Sequence, residues 1–304
     1  MLRGTEITVD QLIALRPGPG QAIAPRAFAR QVGQRESRLA GTGLQMRELR
    51  HYQPGDDLRH VHWKATARLG EPLTKVFEAE HELSWLLVLA LTPGMYFGSQ
   101  QAYKSVRALE AAALLAWERL AVNDAVGSLI CSPHGLSTHS PTRTRAGLLR
   151  QLSEWSRHSK FPPPMTTANQ NDQTETLLAT LQLELQALCR PHRPLVIFSD
   201  FLPPGGWQSI LTQIAPFPAT LVQLYDPLEQ APPTQGRYPV SGPQGTHWIQ
   251  GSAATAERYQ NARADWFQAL HTTAAQGRNR WVTLGTEQDP AQWSWVHQEV
   301  RLGS

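Results

Sequence analysis

The alternation of apolar strands and amphipathic helices after residue 84 constrains the fold of this chain most. Trp85–Leu91 is an unbroken apolar run, which is typical of a parallel strand covered on both faces. The segments Tyr103–Val122 and Thr174–Cys189 carry apolar side chains every three or four residues, which predicts helices. Two further short apolar runs, Leu195–Ser199 and Thr220–Tyr225, follow as strands. This order predicts an α/β fold, doubly wound around a mostly parallel sheet.

The N-terminal part of the chain has a different character. Residues 1–45 are punctuated by proline and glycine, which indicates irregular structure, and Leu73–Glu80 alternates apolar and polar residues as a strand does. We therefore expect an irregular, partly β N-terminal arm over residues 1–80 and an α/β domain over residues 81–304. The other predicted elements are helices at Thr8–Leu15, Leu148–Trp155, Trp207–Ile214, Ala253–Thr273 and Pro290–Val300, strands at Ala125–Cys131 and Trp281–Leu284, and a hairpin of Tyr238–Val240 with His247–Ile249.

Composition excludes several classes of protein. The chain has 304 residues, 41% of them hydrophobic, yet its longest apolar run is far shorter than the ~20 residues that span a membrane. No secretory leader is recognisable, so we expect a soluble, cytoplasmic protein without a membrane span. The two cysteines, Cys131 and Cys189, are too few for a disulfide framework or a four-cysteine zinc site. They are expected to be small buried hydrophobic residues.

Positive charge is concentrated in the first quarter of the chain. Residues 1–75 contain 12 Lys and Arg against 7 Asp and Glu, whereas the whole chain has a net charge of only +3. Most of these cations are arginines, which suit bidentate binding of carboxylate or phosphate. A solvated basic face and a partner-binding face are equally compatible with this pattern. Nucleic-acid binding through this quarter is an alternative function, although no recognition motif supports it and no nucleic-acid partner is expected.

One segment resembles a known family. Arg50–Phe77 combines a Pro-Gly-Asp-Asp turn, a following arginine, a tryptophan, an Ala-Arg pair and a Lys-x-Phe strand. This pattern closely resembles the signature of the bacterial family called domain of unknown function fifty-eight. The stretches Val196–Phe201 and Leu224–Glu229 are similar to that family as well. The matching residues of the signature are Arg50, Tyr52, Pro54, Gly55, Asp56, Asp57, Arg59, Trp63, Ala67, Arg68, Lys75 and Phe77.

The resemblance implies a fold and a function. Members of the family are von Willebrand factor A-like and are commonly found beside MoxR-type AAA+ ATPases, which are thought to act as chaperones in maturing protein complexes. They are usually viewed as adaptors. We therefore expect a non-enzymatic protein-interaction adaptor whose partner is such an ATPase or its client protein.

The resemblance also implies a metal-ion-dependent adhesion site, and this sequence departs from it. The corresponding positions hold Ala90, Thr92 and Gly94 after the first sheet strand, and Asp200 after a later one. Mg²⁺ prefers six oxygen ligands, including carboxylate. Because Ala90 and Gly94 supply neither carboxylate nor hydroxyl, only Thr92 and Asp200 remain. The site is expected to be degenerate, with no tightly bound metal and no cofactor.

The signature segment itself has two interpretations. In the structural one, Asp56 and Asp57 pair with nearby arginines, and Tyr52 and Trp63 are partly buried anchors. In the functional one, the segment is an exposed patch that docks a partner. We favour the structural interpretation.

Other residues suggest hydrolysis only weakly. His60 and His62 share a face if they lie on a strand, with His51 nearby, yet no third metal ligand follows at a diagnostic spacing. The sequences Ser132-Pro133-His134 and Ser199-Asp200 contain hydrolase residue types, but the chain has no Gly-x-Ser-x-Gly and no Walker A motif. A metal-dependent hydrolase remains a second alternative function.

Overall fold

The computed structural model divides the chain into two compact units. Residues 34–82 form a small unit, and residues 1–33 together with residues 83–304 form a larger one. The structure describes residues 4–17, 45–53, 61–78, 83–160, 167–242, 245–277 and 279–288.

The helices and strands are numbered along the chain. The helices are α1 (Val9–Ala14), α2 (Trp63–Leu69), α3 (Lys104–Ala121), α4 (Arg145–His158), α5 (Thr167–Leu188), α6 (Pro204–Ile214), α7 (Pro227–Gln230) and α8 (Ala253–Gln276). The strands are β1 (Gln45–His51), β2 (Leu73–Glu78), β3 (Ser84–Ala90), β4 (Ala125–Ser132), β5 (Gly135–Thr142), β6 (Leu195–Ser199), β7 (Ala219–Tyr225), β8 (Arg237–Gly242), β9 (Gly245–Gln250) and β10 (Arg280–Gly285).

The larger unit is built on a six-stranded sheet. Its strand order is β10-β7-β6-β3-β4-β5. The described pairs are parallel, apart from β5, which is antiparallel to β4 at one edge. The predicted α/β class with a mostly parallel sheet is confirmed.

The central strand β3 packs against a helical layer on each face. Leu87 and Leu89 point to one core, which α1, α3 and α4 cover, whereas Leu86 and Val88 point to a second core under α5, α6 and α8. Successive side chains of a strand point to opposite faces, so an unbroken apolar run serves both cores at once. Helices on both faces are the arrangement of a doubly wound fold.

The N-terminal residues correct the expectation of a single arm over residues 1–80. Leu12 of α1 is fully buried in the larger unit, where its carbonyl accepts a hydrogen bond of 3.0 Å from the Trp117 indole. The backbone N–H of Ile7 donates to Ser159 Oγ at 3.1 Å. Residues 4–17 therefore belong with the α/β unit. The sequence predicted a helix at Thr8–Leu15, but a short helix gives no local signal of the unit against which it packs.

Strand β5 was not predicted from the sequence. It is an edge strand whose residues are mostly exposed, so it lacks the apolar alternation that marks a half-buried strand. Strand β1 was also not predicted from the sequence. Helix α5 begins at Thr167, seven residues before the predicted start. The predicted helix Pro290–Val300 lies outside the described residues.

The small unit is a two-stranded antiparallel ribbon with a short helix between its strands. Strand β1 pairs with β2, and His62 Nδ1 caps α2 by accepting the Ala65 N–H at 3.1 Å. Helix α2 ends at Gly70, whose φ of 75° is in the left-handed region that favours glycine. The Leu73 N–H donates to Thr66 Oγ1 at 3.1 Å, which joins the helix to β2.

The cysteines are buried, as expected. Cys131 is 3% exposed and Cys189 is 8% exposed, and neither forms a disulfide. Burial is the main reason that the pKa of Cys131 is raised to about 12 and that of Cys189 to about 11. Among the described residues, no helix combines the length and the apolar character needed to cross a membrane.

Candidate functional site

The chain reverses the direction of its crossovers between β3 and β6. The chain leaves β3 towards β4 on one side, and it leaves β6 towards β7 on the other side. In open α/β sheets, ligands bind beyond the carboxyl ends of the strands at such a switch point. The loops after β3, β6 and β7 therefore form the candidate site.

The structure brings the predicted adhesion-site positions together. Thr92 Oγ1 donates to Asp200 Oδ1 at 3.3 Å, and a Cβ on Gly94 would lie 3.0 Å from Asp200 Oδ2. The Ala90 carbonyl accepts a 3.0 Å hydrogen bond from Ser199 Oγ. Asp200 is almost completely buried. The four positions named from the sequence therefore lie close together at this edge of the sheet.

Lys104, like Asp226 and Glu229, is a member of the site that the sequence did not predict. It begins α3, is completely buried, and its Nζ donates to Asp200 Oδ2 at 3.0 Å and to Glu229 Oε1 at 2.5 Å. Desolvation by itself lowers the pKa of Lys104, but the charges of Asp200 and Glu229 outweigh it and raise the pKa above its ordinary value. The side chain is therefore an ammonium at neutral pH. A single lysine at a helix start gives no local signal of this role.

Asp226, directly after β7, organises the neighbouring loops. Its Oδ2 accepts from Ser99 N at 2.8 Å and Thr286 Oγ1 at 2.6 Å, and its Oδ1 accepts from Ser99 Oγ at 2.5 Å and Leu228 N at 3.0 Å. Burial alone raises the pKa of this carboxyl, but these hydrogen bonds outweigh it and hold the pKa below its ordinary range. Glu229 Oε2 in turn accepts the Asp226 N–H at 3.1 Å, which connects Asp226 to the ion pairs that Lys104 forms with Asp200 and Glu229.

The loops after β3, β6 and β7 together are called the carboxyl edge of the sheet. The polar groups of this edge bind one another. Three carboxylates, those of Asp200, Asp226 and Glu229, are held by Lys104 and by hydroxyl or backbone donors. Within the described residues, no three or more His, Cys, Asp or Glu side chains converge in positions that could hold a metal ion. The arrangement is suited to fixing the conformation of the loops.

Apolar side chains are exposed on the same loops. Phe97, after β3, is 38% exposed, and Leu228, after β7, is 40% exposed. Both adjoin the polar network, because the Phe97 carbonyl accepts the Lys104 N–H at 2.9 Å and Leu228 precedes Glu229. We call Phe97 and Leu228 the apolar rim.

A second polar cluster lies at the end of β4. Ser132 Oγ is 2.7 Å from His158 Nδ1, and His158 Nε2 is 3.7 Å from Glu154 Oε1. Burial lowers the pKa of His158, so the imidazole is neutral at neutral pH. His134 contributes its backbone N–H to Ser132 Oγ at 3.0 Å, whereas its ring contacts the Lys160 carbonyl. The histidine that pairs with Ser132 is therefore His158.

A pocket of about 450 Å³ adjoins this cluster. The turn between β4 and β5 forms one wall and α5 the other, and Ser132 is among the lining residues. The Gln173 side-chain oxygen in the α5 wall is buried and has no hydrogen-bond partner among the described residues.

The signature segment is only partly described. Pro54, Gly55, Asp56, Asp57 and Arg59, together with His60, lie outside the described residues.

The described signature residues belong to the small unit. Arg50 lies on β1 in register with Thr74, Tyr52 is half-buried and Arg68 is exposed. Trp63 is 66% exposed, so the expectation that it is a partly buried anchor is wrong. The physical reason is that Trp63 begins a seven-residue helix, α2, in which no residue is buried.

The remaining candidate histidines have local roles. His62 caps α2, as described above, and His51 Nδ1 lies 3.1 Å from Glu71 Oε2 in an exposed pair. Neither contact indicates a metal site.

Comparison with known protein families agrees with the signature found in the sequence. The fold and the site define an α/β protein with a mostly parallel sheet and a polar network at its carboxyl edge. Residues 48–272 match the family described as "Protein of unknown function DUF58", and the chain belongs to this family.

Relatives are found in mycobacteria. The uncharacterized proteins Mb1516 of Mycobacterium bovis and Rv1480 of Mycobacterium tuberculosis are each 30% identical over 202 residues, which is 65% of this chain. The alignment spans 60% of the length of these relatives. Among solved structures, the conserved hypothetical protein BatB from Bacteroides thetaiotaomicron matches with a TM-score of 0.36 and 11% identity, over 67% of this chain and 90% of that chain.

Proposed function

We propose that this protein is a non-enzymatic protein-interaction adaptor with a von Willebrand factor A-like fold and a degenerate adhesion site. It works with a MoxR-type AAA+ ATPase, or that ATPase's client, in chaperone-like maturation of protein complexes. The proposal includes a cytoplasmic location, because such a partner consumes ATP. The observation that carries it is the carboxyl edge, where the carboxylates are internally paired while Phe97 and Leu228 are exposed.

Two features support binding at this edge in preference to catalysis. A carboxylate that exchanges a proton with a substrate or attacks it needs a lone pair that the substrate can reach. Here both oxygens of Asp226 and of Glu229 accept hydrogen bonds, and both oxygens of Asp200 do as well. Rigid loops that present apolar side chains are suited to partner binding, since little entropy is lost on docking.

The adaptor proposal predicts capture of an AAA+ ATPase. The tagged full chain, used as bait in native lysate of its source bacterium, should enrich a MoxR-type ATPase over a tag-only control. Leu228→Asp should reduce this enrichment by about tenfold or more, because a charge in a desolvated contact is costly. Leu183→Asp is the matched control, since Leu183 is exposed on α5, and it should bind normally. If no AAA+ ATPase is enriched by the wild-type chain, the proposal fails.

The second polar cluster favours one other candidate function, a serine hydrolase. Ser132, His158 and Glu154 have the residue types of a nucleophile, a base and an orienting acid. Against this function, Ser132 is only 6% exposed and its oxygen already accepts the His134 N–H.

Labelling with a fluorophosphonate probe separates the two functions. The adaptor proposal predicts no labelling of the folded chain, because the Ser132 hydroxyl is buried and hydrogen-bonded. Mass spectrometry after exposure to the probe provides the measurement. Labelling that is lost in Ser132→Ala and His158→Gln, but kept in Ser209→Ala on the exposed face of α6, would establish a reactive serine and contradict a purely non-enzymatic role.

A further inference from the structure

The donor atoms around Asp200 have the chemistry of a divalent-cation site. Thr92 offers a hydroxyl oxygen, and Asp200 and Glu229 offer carboxylate oxygens, which are the hard ligands that Mg²⁺ and Mn²⁺ prefer. These oxygens converge because the loops after β3, β6 and β7 meet at the same edge of the sheet. The donor set by itself therefore fits the metal of an adhesion site.

The space between those oxygens does not fit a metal. Lys104 Nζ is 3.0 Å from Asp200 Oδ2 and 2.5 Å from Glu229 Oε1, so the ammonium lies between the two carboxylates. A divalent ion that both oxygens coordinated at about 2.1 Å would overlap with Nζ. The positive charge of the ammonium would also repel the ion at this distance.

The ammonium is an internal part of the site. Lys104 has 0% exposure, and its aliphatic stem belongs to the first turn of α3, so neither water nor a partner reaches the charge. Asp200 and Glu229 both pair with this one ammonium, although their two charges exceed its single charge by one, and they lie 96 and 125 residues from Lys104 in the sequence.

We propose that the Lys104 ammonium takes the place of the adhesion-site metal, so that the carboxyl edge is assembled around an internal cation and binds no divalent ion. The ammonium joins the loop after β6 to α7 and thereby fixes Leu228 of the apolar rim. If the adaptor role holds, partner binding at this rim does not use a metal-bridged carboxylate. The proposal on Lys104 itself requires no partner.

Removing the ammonium should convert the site into a metal site. In Lys104→Ala, two carboxylates face an empty space, and the Tm should fall by about 10 °C in EDTA. Millimolar MnCl₂ or MgCl₂ should restore part of this loss, because the ion replaces the missing charge. Lys104→Met is the matched control, since its side chain fills the space without charge, and its Tm should fall without being restored by metal.

Wild-type measurements keep the proposal testable if the variants fail to fold. The full chain should bind no Mn²⁺ in equilibrium dialysis, and its Tm should be the same in EDTA and in MnCl₂. A ¹⁵N-detected ammonium signal from Lys104, absent in a Lys104→Arg variant, should persist unchanged when MgCl₂ is added.

Three results would overturn the proposal. These are stoichiometric Mn²⁺ bound by the wild-type chain and lost in Asp200→Asn, a folded Lys104→Ala variant whose Tm does not respond to metal, and displacement of the ammonium signal by Mg²⁺. These readouts use the isolated chain, so they are independent of whether an AAA+ ATPase is captured.

Discussion

Asp226→Asn is expected to lower the free energy of unfolding by about 3–5 kcal/mol, although it changes only one atom of the side chain. All four groups bonded to the carboxylate are donors, two on each oxygen. Because the amide nitrogen of asparagine cannot accept, the backbone N–H on that side, from Ser99 or from Leu228, loses its acceptor, whereas the hydroxyl beside it can turn to accept. Asp226→Ala should be at least as destabilised. Urea denaturation of the wild-type and variant chains measures the difference.

The same carboxylate predicts a pH dependence. Its pKa is lowered in the folded protein, so its contribution to stability is complete above the unfolded pKa of about 3.9 and is lost as the pH falls through the folded value. Denaturation curves across this acidic range should therefore show a steeper loss of stability for the wild type than for Asp226→Asn.

Asp265→Asn is the matched control for both measurements. Asp265 is exposed on α8, so its replacement should change stability by no more than about 0.5 kcal/mol. Equal effects of the two substitutions would show that the hydrogen bonds to Asp226 do not stabilise the edge.

Gly98→Ala is expected to destabilise the protein by about 2–4 kcal/mol. A Cβ at this position would lie 2.1 Å from the Ala102 carbonyl oxygen and 2.8 Å from its carbon, and backbone atoms cannot rotate away as a side chain does. Gly98 also precedes Ser99, which donates twice to Asp226. The clash should therefore displace the loop that supports the candidate site.

Gly205→Ala provides the control for Gly98. Gly205 lies in α6, and its added Cβ would meet nothing within 4 Å. This substitution should leave stability unchanged or raise it by about 0.5–1 kcal/mol, since alanine favours the helix. Thermal or urea denaturation of both variants tests the pair, and a Gly98→Ala variant as stable as Gly205→Ala would contradict the close approach.

A double variant tests whether Gly98 and Asp226 act together. The two residues support the same loop. The double variant should therefore lose less free energy of unfolding than the sum of the losses in Gly98→Ala and Asp226→Asn. Additive effects would indicate that the loop and the carboxylate stabilise the protein independently.

The parts of the fold that the sequence predicted have strong local patterns. The apolar run at Trp85–Leu91 became β3, and the helical stripe at Tyr103–Val122 became α3, each within a residue of the expected bounds. Strand β5 escaped prediction because an exposed edge strand has no apolar pattern to detect. The exposure of Trp63 was also missed, since an aromatic residue in a motif does not reveal whether anything packs against it.

The sequence predicted only part of the candidate site, because only part of it follows from a local pattern. The positions of Thr92 and Asp200 followed from the ends of strands, because parallel strands share one carboxyl edge. Lys104 did not follow, since its partners are about a hundred residues away in the sequence and no spacing rule connects them. The Asp226 network joins Ser99 to Thr286 in the same way, across loops that meet only in three dimensions.

By itself, the sequence determined the α/β class, the mostly parallel sheet and the family signature, because local periodicity and motif residues are properties of neighbouring positions. The tertiary structure decided that α1 packs into the larger unit and that a buried ammonium pairs with Asp200 and Glu229. Those outcomes depend on which distant loops are brought together. A charge is stable in the core only where opposite charges from other elements converge on it.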